Sequence, residues 1–184
     1  MKRIFIIHRW SGGPDDDWRP WLKTELENKG YKVYIPYMPD TEVPIIEKWV
    51  NYISKLVGIP DGNTYFIGHS IGCQAILRYL ENIDSPIGGA LFVAGWFNLE
   101  NLEDDEIKKI AKPWIENPLN FNKIKSVLPK STLIISDDDP YGAFKENTEK
   151  FSRIVTNVCV LQNKGHITQK NEPVILDQFF KLIN

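Results

Sequence analysis

Ser70 stands at the centre of Gly68-His69-Ser70-Ile71-Gly72, with an apolar run, Tyr65, Phe66 and Ile67, just before it. Ala75, Ile76, Tyr79 and Leu80 follow at helical spacing. This is the G-x-S-x-G pattern of a nucleophile elbow, in which a strand turns sharply into a helix and the serine hydroxyl projects above the sheet. Glycine is needed on either side because strand and helix crowd each other there and a Cβ would clash. The five residues alone are a weak signal, since short glycine- and serine-rich turns arise by chance. The Asp61-Gly62 turn and strand before them, and the helical pattern after them, make the signal specific. The chemistry they point to is nucleophilic attack on an acyl carbon.

A serine hydroxyl is a poor nucleophile near neutral pH and needs a base, usually a histidine oriented by a carboxylate. The chain has three histidines: His8 after the first apolar run, His69 inside the elbow, and His166 near the C-terminus. Sheet enzymes that carry such an elbow place their residues in the order serine, acid, histidine. That order selects His166 as the base, and the elbow geometry aims the ring of His69 elsewhere. The acid is expected after the apolar run preceding His166, where Ser136-Asp137-Asp138-Asp139-Pro140-Tyr141 lies. The pattern leaves all three aspartates open, although Pro140 restricts the backbone of Asp139 to an extended form. No His, Cys or Glu at ligand spacing accompanies them, so neither a metal site nor a cofactor is expected.

The oxyanion formed in acyl transfer needs preorganised N–H donors. The Ile71 amide, at the start of the elbow helix, is one candidate; the other belongs to the loop after the first strand, at Trp10. Trp10 and Trp96 either line an acyl pocket or serve as ordinary packing. Asp15, Asp16 and Asp17 read as helix caps, and Cys73 as a small buried residue rather than a reactive thiol.

These residues need a scaffold, and the pattern around them supplies one. Apolar runs at 4–7, 31–35, 65–69, 91–94, 132–135 and 158–161 read as strands. Helical spacing links Trp18, Trp21, Leu22 and Leu26; then Ile45, Ile46, Trp49, Val50 and Ile53; and later Phe144, Thr148, Phe151 and Val155. Asn171 as cap with Pro173 in the first turn opens a last helix bearing Ile175, Phe179 and Leu182. Alternation of this kind predicts an α/β fold, a parallel sheet of about six strands with helices on both faces. One break in rhythm, over 96–130, reads as a lid-like insertion with an acidic helix over 100–110 and a Pro/Asn-rich piece around 114–121.

With 184 residues, 42% of them hydrophobic and 25% charged, the chain is expected to form one domain with its own core. A net charge of −2 argues against a nucleic-acid partner or a polybasic membrane surface. The apolar run after Lys2 and Arg3 is shorter than the roughly 7–15 residues of a secretory core. No stretch reaches the roughly 18 apolar residues of a membrane span. Two cysteines make no disulfide framework, and a cytoplasmic location is expected.

Along nearly its whole length the chain resembles the small α/β-hydrolase-fold serine hydrolases of the retinoblastoma-binding-protein-nine and YdeN type. The matching pieces are Ile6-Ile7-His8, Trp18-Arg19-Pro20-Trp21-Leu22, Tyr37-Met38-Pro39, Gly68-His69-Ser70-Ile71-Gly72-Cys73, Arg78-Tyr79, Asp138-Asp139-Pro140-Tyr141 and Gly165-His166. The resemblance implies strand order 2-1-3-4-5-6 and a serine hydrolase acting on a small ester, thioester or amide through an acyl-enzyme. It places the nucleophile on Ser70, the acid on Asp139 and the base on His166, with no cofactor. Arg9 stands where these proteins carry glycine, next to the oxyanion loop, and Gly142-Ala143 where many carry Val-Pro. The rival expectation is a protein-binding module that keeps the fold with little turnover. A fall in ester hydrolysis without loss of fold on changing Ser70 separates the two.

Overall fold

The structure is a computed structural model and describes residues 1–102 and 104–184. Six strands, β1 (Arg3–Ile7), β2 (Lys32–Tyr34), β3 (Thr64–His69), β4 (Gly89–Val93), β5 (Ser131–Ser136) and β6 (Asn157–Leu161), form one sheet. Every neighbouring pair is parallel. Their order is β2-β1-β3-β4-β5-β6, the one expected from the resemblance. The helices are α1 (Arg19–Asn28), α2 (Ile46–Val57), α3 (Ile71–Leu80), α4 (Asp105–Glu116), α5 (Phe121–Val127), α6 (Phe144–Ser152) and α7 (Pro173–Ile183).

Period-2 alternation in the strands divides the interior into two cores. Ile4 and Ile6 of β1, Ile67 of β3, and Leu91 and Val93 of β4 pack with Trp18, Leu22 and Leu26 and with Ile175 and Phe179 of α7. Their neighbours Phe5, Ile7, Phe66 and Phe92 face the other way, against Trp49 and Ile53 of α2, Ile76 and Leu77 of α3, and Phe151 of α6. Strands β1, β3, β4 and β5 are buried on both faces, which is why each reads as a continuous apolar run. The order reverses between β1 and β3, so the chain leaves their carboxyl ends toward opposite faces and opens a crevice there.

Three local readings change. At α7 the N-cap residue is Glu172 rather than Asn171, and no side chain caps the helix. No aspartate caps α1; Trp18 is its N-cap residue, and Asp17 takes a positive φ of 52°. The carboxylate of Asp17 is drawn instead to Arg9 and Arg19, whose charges offer more than an amide would. The insertion's helix begins at Asp105, capped by Asp104 accepting from the Glu106 and Ile107 amides, and continues through Pro113 to Glu116. Glu103, within the stretch expected to be helical, lies outside the described residues. A proline inside a helix costs about 3 kcal/mol. Here burial of Ala111 and Trp114, and the Trp114 indole donating to the Pro44 carbonyl at 3.0 Å, offset that cost.

The elbow glycines are packed hard against backbone. A Cβ on Gly72 would sit 2.3 Å from the Ile7 carbonyl oxygen, and one on Gly68 would sit 2.8 Å from the Cys73 nitrogen. Backbone cannot swing aside as a flexible side chain can. Gly72→Ala is therefore expected to destabilise the fold by about 3 kcal/mol. Thermal denaturation should show Tm falling by roughly 6–12 °C. Gly62→Ala, where a Cβ meets nothing within 4 Å, should leave Tm almost unchanged.

Candidate active site

The site lies over the carboxyl ends of β1, β3 and β5. Strand β3 delivers Ser70 at the N-terminus of α3 with φ 56° and ψ −120°, a strained conformation for a residue with a side chain. The Ser70 amide donating to the Val93 carbonyl at 2.9 Å, and the two glycine contacts, hold it there. Its hydroxyl accepts a hydrogen bond from the Trp96 indole at 3.2 Å. A hydroxyl has two lone pairs and one proton, so this contact leaves the Ser70 proton free to be given away.

The loop after β6 carries His166, whose Nδ1 lies 2.8 Å from Asp139 Oδ2 in a pair with side chains only 13% and 5% exposed. The other two aspartates are occupied in holding this arrangement. Asp138 accepts from the Ser136 hydroxyl at 2.6 Å and the Gly165 amide at 2.8 Å, and these bonds keep its carboxyl below its usual range. Asp137 accepts from the Asn163 amide. Of the three, Asp139 alone meets the imidazole, and the neighbours tie the acid loop to the histidine loop.

The three imidazoles have different tasks, and hydrogen bonding decides which. His8 donates through Nδ1 to the Arg9 carbonyl and accepts through Nε2 from the Met38 amide. Desolvation drives its pKa down to about 4, so it is a neutral structural ring. His69 is fully buried, its ring centroid 5.3 Å from that of His166. Its Nδ1 faces the Arg19 guanidinium, which can only donate, so Nε2 carries the proton and donates to the His166 carbonyl at 2.9 Å. Burial, with smaller contributions from His166 and Arg19, keeps its pKa well below the ordinary value. Among the described residues only one imidazole nitrogen, Nε2 of His166, has no partner. It is not hydrogen-bonded to Ser70 here; bonds of this kind often close only when substrate binds.

A second donor fixes the base loop. The Trp18 indole donates to the Ile167 carbonyl at 3.0 Å, and Ile167 has φ 52°, unusual for a β-branched residue. Thus Trp18 and His69 hold consecutive carbonyls beside His166. The sequence reading missed both roles, although both residues lie inside motifs it singled out.

Ser70, His166, Trp10, Trp96, Leu99, Ile107, Ile110 and Tyr141 share one cavity of about 550 Å³, with Glu42, Asp104 and Glu106 also on its walls. Trp10 and Trp96 therefore belong to the cavity lining rather than to packing alone. The amides of Trp10 and Ile71 donate to no group among the described residues. Arg9 also lines this cavity, its Nε bound to Asp17 at 2.9 Å and its Nη1 to the Trp10 carbonyl at 3.2 Å. Gly142 is anchored without a Val-Pro pair, through a bridge to Leu99 and through its amide to the Asp139 carbonyl. Asn147, fully buried, clamps the start of the insertion by accepting from the Phe97 and Asn98 amides. Cys73 is fully buried, and desolvation raises its thiol pKa, so it offers no thiolate.

A family model described as "Serine hydrolase" matches residues 4–182. The chain is similar to the putative hydrolase YdeN of Bacillus subtilis (strain 168), 28% identical over 171 residues, covering 91% of this chain and 87% of that protein. It is also similar to the serine hydrolase RBBP9 of Rattus norvegicus, 26% identical over 165 residues, covering 88% and 85% of the two. The crystal structure of the B. subtilis ydeN gene product superposes with a TM-score of 0.90 at 26% identity, over 99% of this chain and 98% of that one.

Proposed function

The chain belongs to the serine hydrolase family, and on that premise we propose that it hydrolyses small ester-like acyl substrates through Ser70, His166 and Asp139. The observation that carries this reading is the one unpartnered imidazole nitrogen among the described residues, on a histidine whose other nitrogen is held by a buried carboxylate. Asp139 fixes the tautomer in which Nδ1 is protonated, leaving a lone pair on Nε2. Ser70 Oγ attacks the acyl carbon as its proton passes to Nε2, and the Trp10 and Ile71 amides take the oxyanion. The imidazolium then protonates the departing alcohol, thiol or amine, leaving an acyl group on Ser70. Water, deprotonated by Nε2, attacks that acyl carbon, and the carboxylic acid leaves as Ser70 recovers its proton. Each step is complete with these groups alone, so the proposal requires no cofactor.

The substrate class follows from the cavity. Its apolar side, with Trp10, Leu99, Ile107 and Ile110, suits an acyl chain, and about 550 Å³ limits how long that chain is. The 96–130 insertion supplies part of the cover, through Ile107 and Ile110 of α4. Three carboxylates on the wall, Glu42, Asp104 and Glu106, against the single cation of Arg9, disfavour an anionic leaving group. In a series of p-nitrophenyl esters, kcat/KM is expected to peak between butyryl and octanoyl and to fall at palmitoyl. A steady rise to palmitoyl would remove the size argument. The direct test of the chemistry is modification of the folded protein by a fluorophosphonate at Ser70. Failure to label, together with failure to hydrolyse any short ester, would favour a protein-binding role instead. Among the described residues no helix is long and apolar enough to cross a membrane.

A further inference from the structure

A second cavity, of about 450 Å³, lies on the other side of the insertion, between the elbow helix α3, the end of α4, the start of α5, and α6. Its lining includes Arg78, Lys150 and Arg153 beside the aromatic rings of Phe97, Trp114 and Phe121. No Asp or Glu among the described residues lines it.

Arg78 is the unusual member. It is 6% exposed, yet no carboxylate among the described residues lies within ion-pair distance of it. Its Nη2 donates to the Trp114 carbonyl at 2.9 Å and the Asn117 carbonyl at 3.0 Å, and its Nε has no partner. Those carbonyls close the C-terminal end of α4, whose dipole offsets part of the charge. Neutral carbonyls are a poor exchange for water around a guanidinium, and burial lowers its pKa from the ordinary value. The other two cations do not compensate one another. Lys150 is paired with Glu146 at 2.7 Å, whereas Arg153 lies 5.2 Å over the Phe121 ring and has no carboxylate partner among the described residues.

A buried cation with no carboxylate in ion-pair contact, only the more distant charges of Glu81 and Glu47, facing a cavity whose described lining holds further cations and no acid, is the arrangement of an anion receptor. We propose that this cavity binds a small organic anion, its carboxylate or phosphate head directed to Arg78 and Arg153 and its apolar body laid on Phe97, Trp114 and Phe121. The site is separate from the Ser70 cavity but close to it in bonds. Gln74, also on its wall, donates to the Trp96 carbonyl at 2.6 Å, and the Trp96 indole donates to Ser70. The proposal does not depend on the hydrolytic reading, and its test reads binding rather than turnover.

Titration calorimetry with phenyl phosphate, benzoate and, as the uncharged control, benzyl alcohol decides it. Saturable binding of either anion with none of the alcohol is expected; which anion binds more tightly identifies the head group. Arg153→Gln, at an exposed position, should keep the fold and weaken binding by roughly tenfold. Arg78→Gln should abolish binding, with circular dichroism to confirm that the variant is folded. Binding by neither anion would overturn the proposal and leave Arg78 as the cap of α4 alone. Binding unchanged by Arg153→Gln would also overturn it, by placing the anion elsewhere.

Discussion

Ser70→Ala is expected to lower turnover of a short p-nitrophenyl ester by about 10⁶, the scale on which a nucleophile is lost from a group that works as a unit. Covalent labelling by a fluorophosphonate should vanish with it. The physical reason is that nothing else at the site can replace the hydroxyl. Cys73, one turn along α3, is fully buried and bonded to the Val93 carbonyl, and its thiolate is disfavoured by desolvation. The substitution should be gentle on the fold. Ser70 gives the structure its backbone amide, bound to Val93, and its side chain only accepts the Trp96 indole. Alanine at φ 56° keeps the strain that serine already bears. An unchanged melting curve with activity gone supports the proposed role; activity retained would remove Ser70 from the mechanism.

The second large effect concerns the acid. Asp139→Asn is expected to lower kcat by about 10³–10⁴, because an amide facing Nδ1 no longer selects the tautomer with its lone pair on Nε2. Asp137→Asn should change kcat little, since its contact is a single bond to the exposed Asn163 amide. Asp138→Asn should act differently again. Its carboxylate ties Ser136 to Gly165, so its loss loosens the base loop and shows first as a lower Tm, with a moderate fall in rate. The three variants thus separate charge on the imidazole from anchoring of the loop that bears it. If Asp138→Asn lost turnover while Asp139→Asn kept it, the 2.8 Å contact between His166 and Asp139 would not be the one that matters.

What could be read from the residues was what depends on neighbours along the chain. The continuous apolar runs of β1 and β3 and the 3.6-residue spacing in α3 are local patterns, and a strand–turn–helix elbow spans only a few residues. Chain order then singled out His166 from three histidines, and the resemblance supplied the strand order and the choice of Asp139. Residue types alone could not choose among Asp137, Asp138 and Asp139, because their directions are set by where Ser136, Gly165 and His166 come to lie.

The rest was decided by contacts between segments far apart in sequence. His69 reaches a carbonyl 97 residues away, Trp18 one 149 residues away, and Trp96 a hydroxyl 26 residues away. None leaves a periodic signal, because each is a single pairing created when the parallel strands bring their carboxyl ends together. The same holds for Asp17, which by type and position reads as a cap yet is taken by two arginines once the fold assembles them. Pro113 disfavours the helix locally, but packing of Trp114 outweighs it. Local propensities differ by about a kcal/mol or so, and a buried aromatic or a shared charge is worth more than that. Sequence therefore determined the sheet, the elbow and the residue types able to do the chemistry. Tertiary packing decided which imidazole nitrogen is left free to do it.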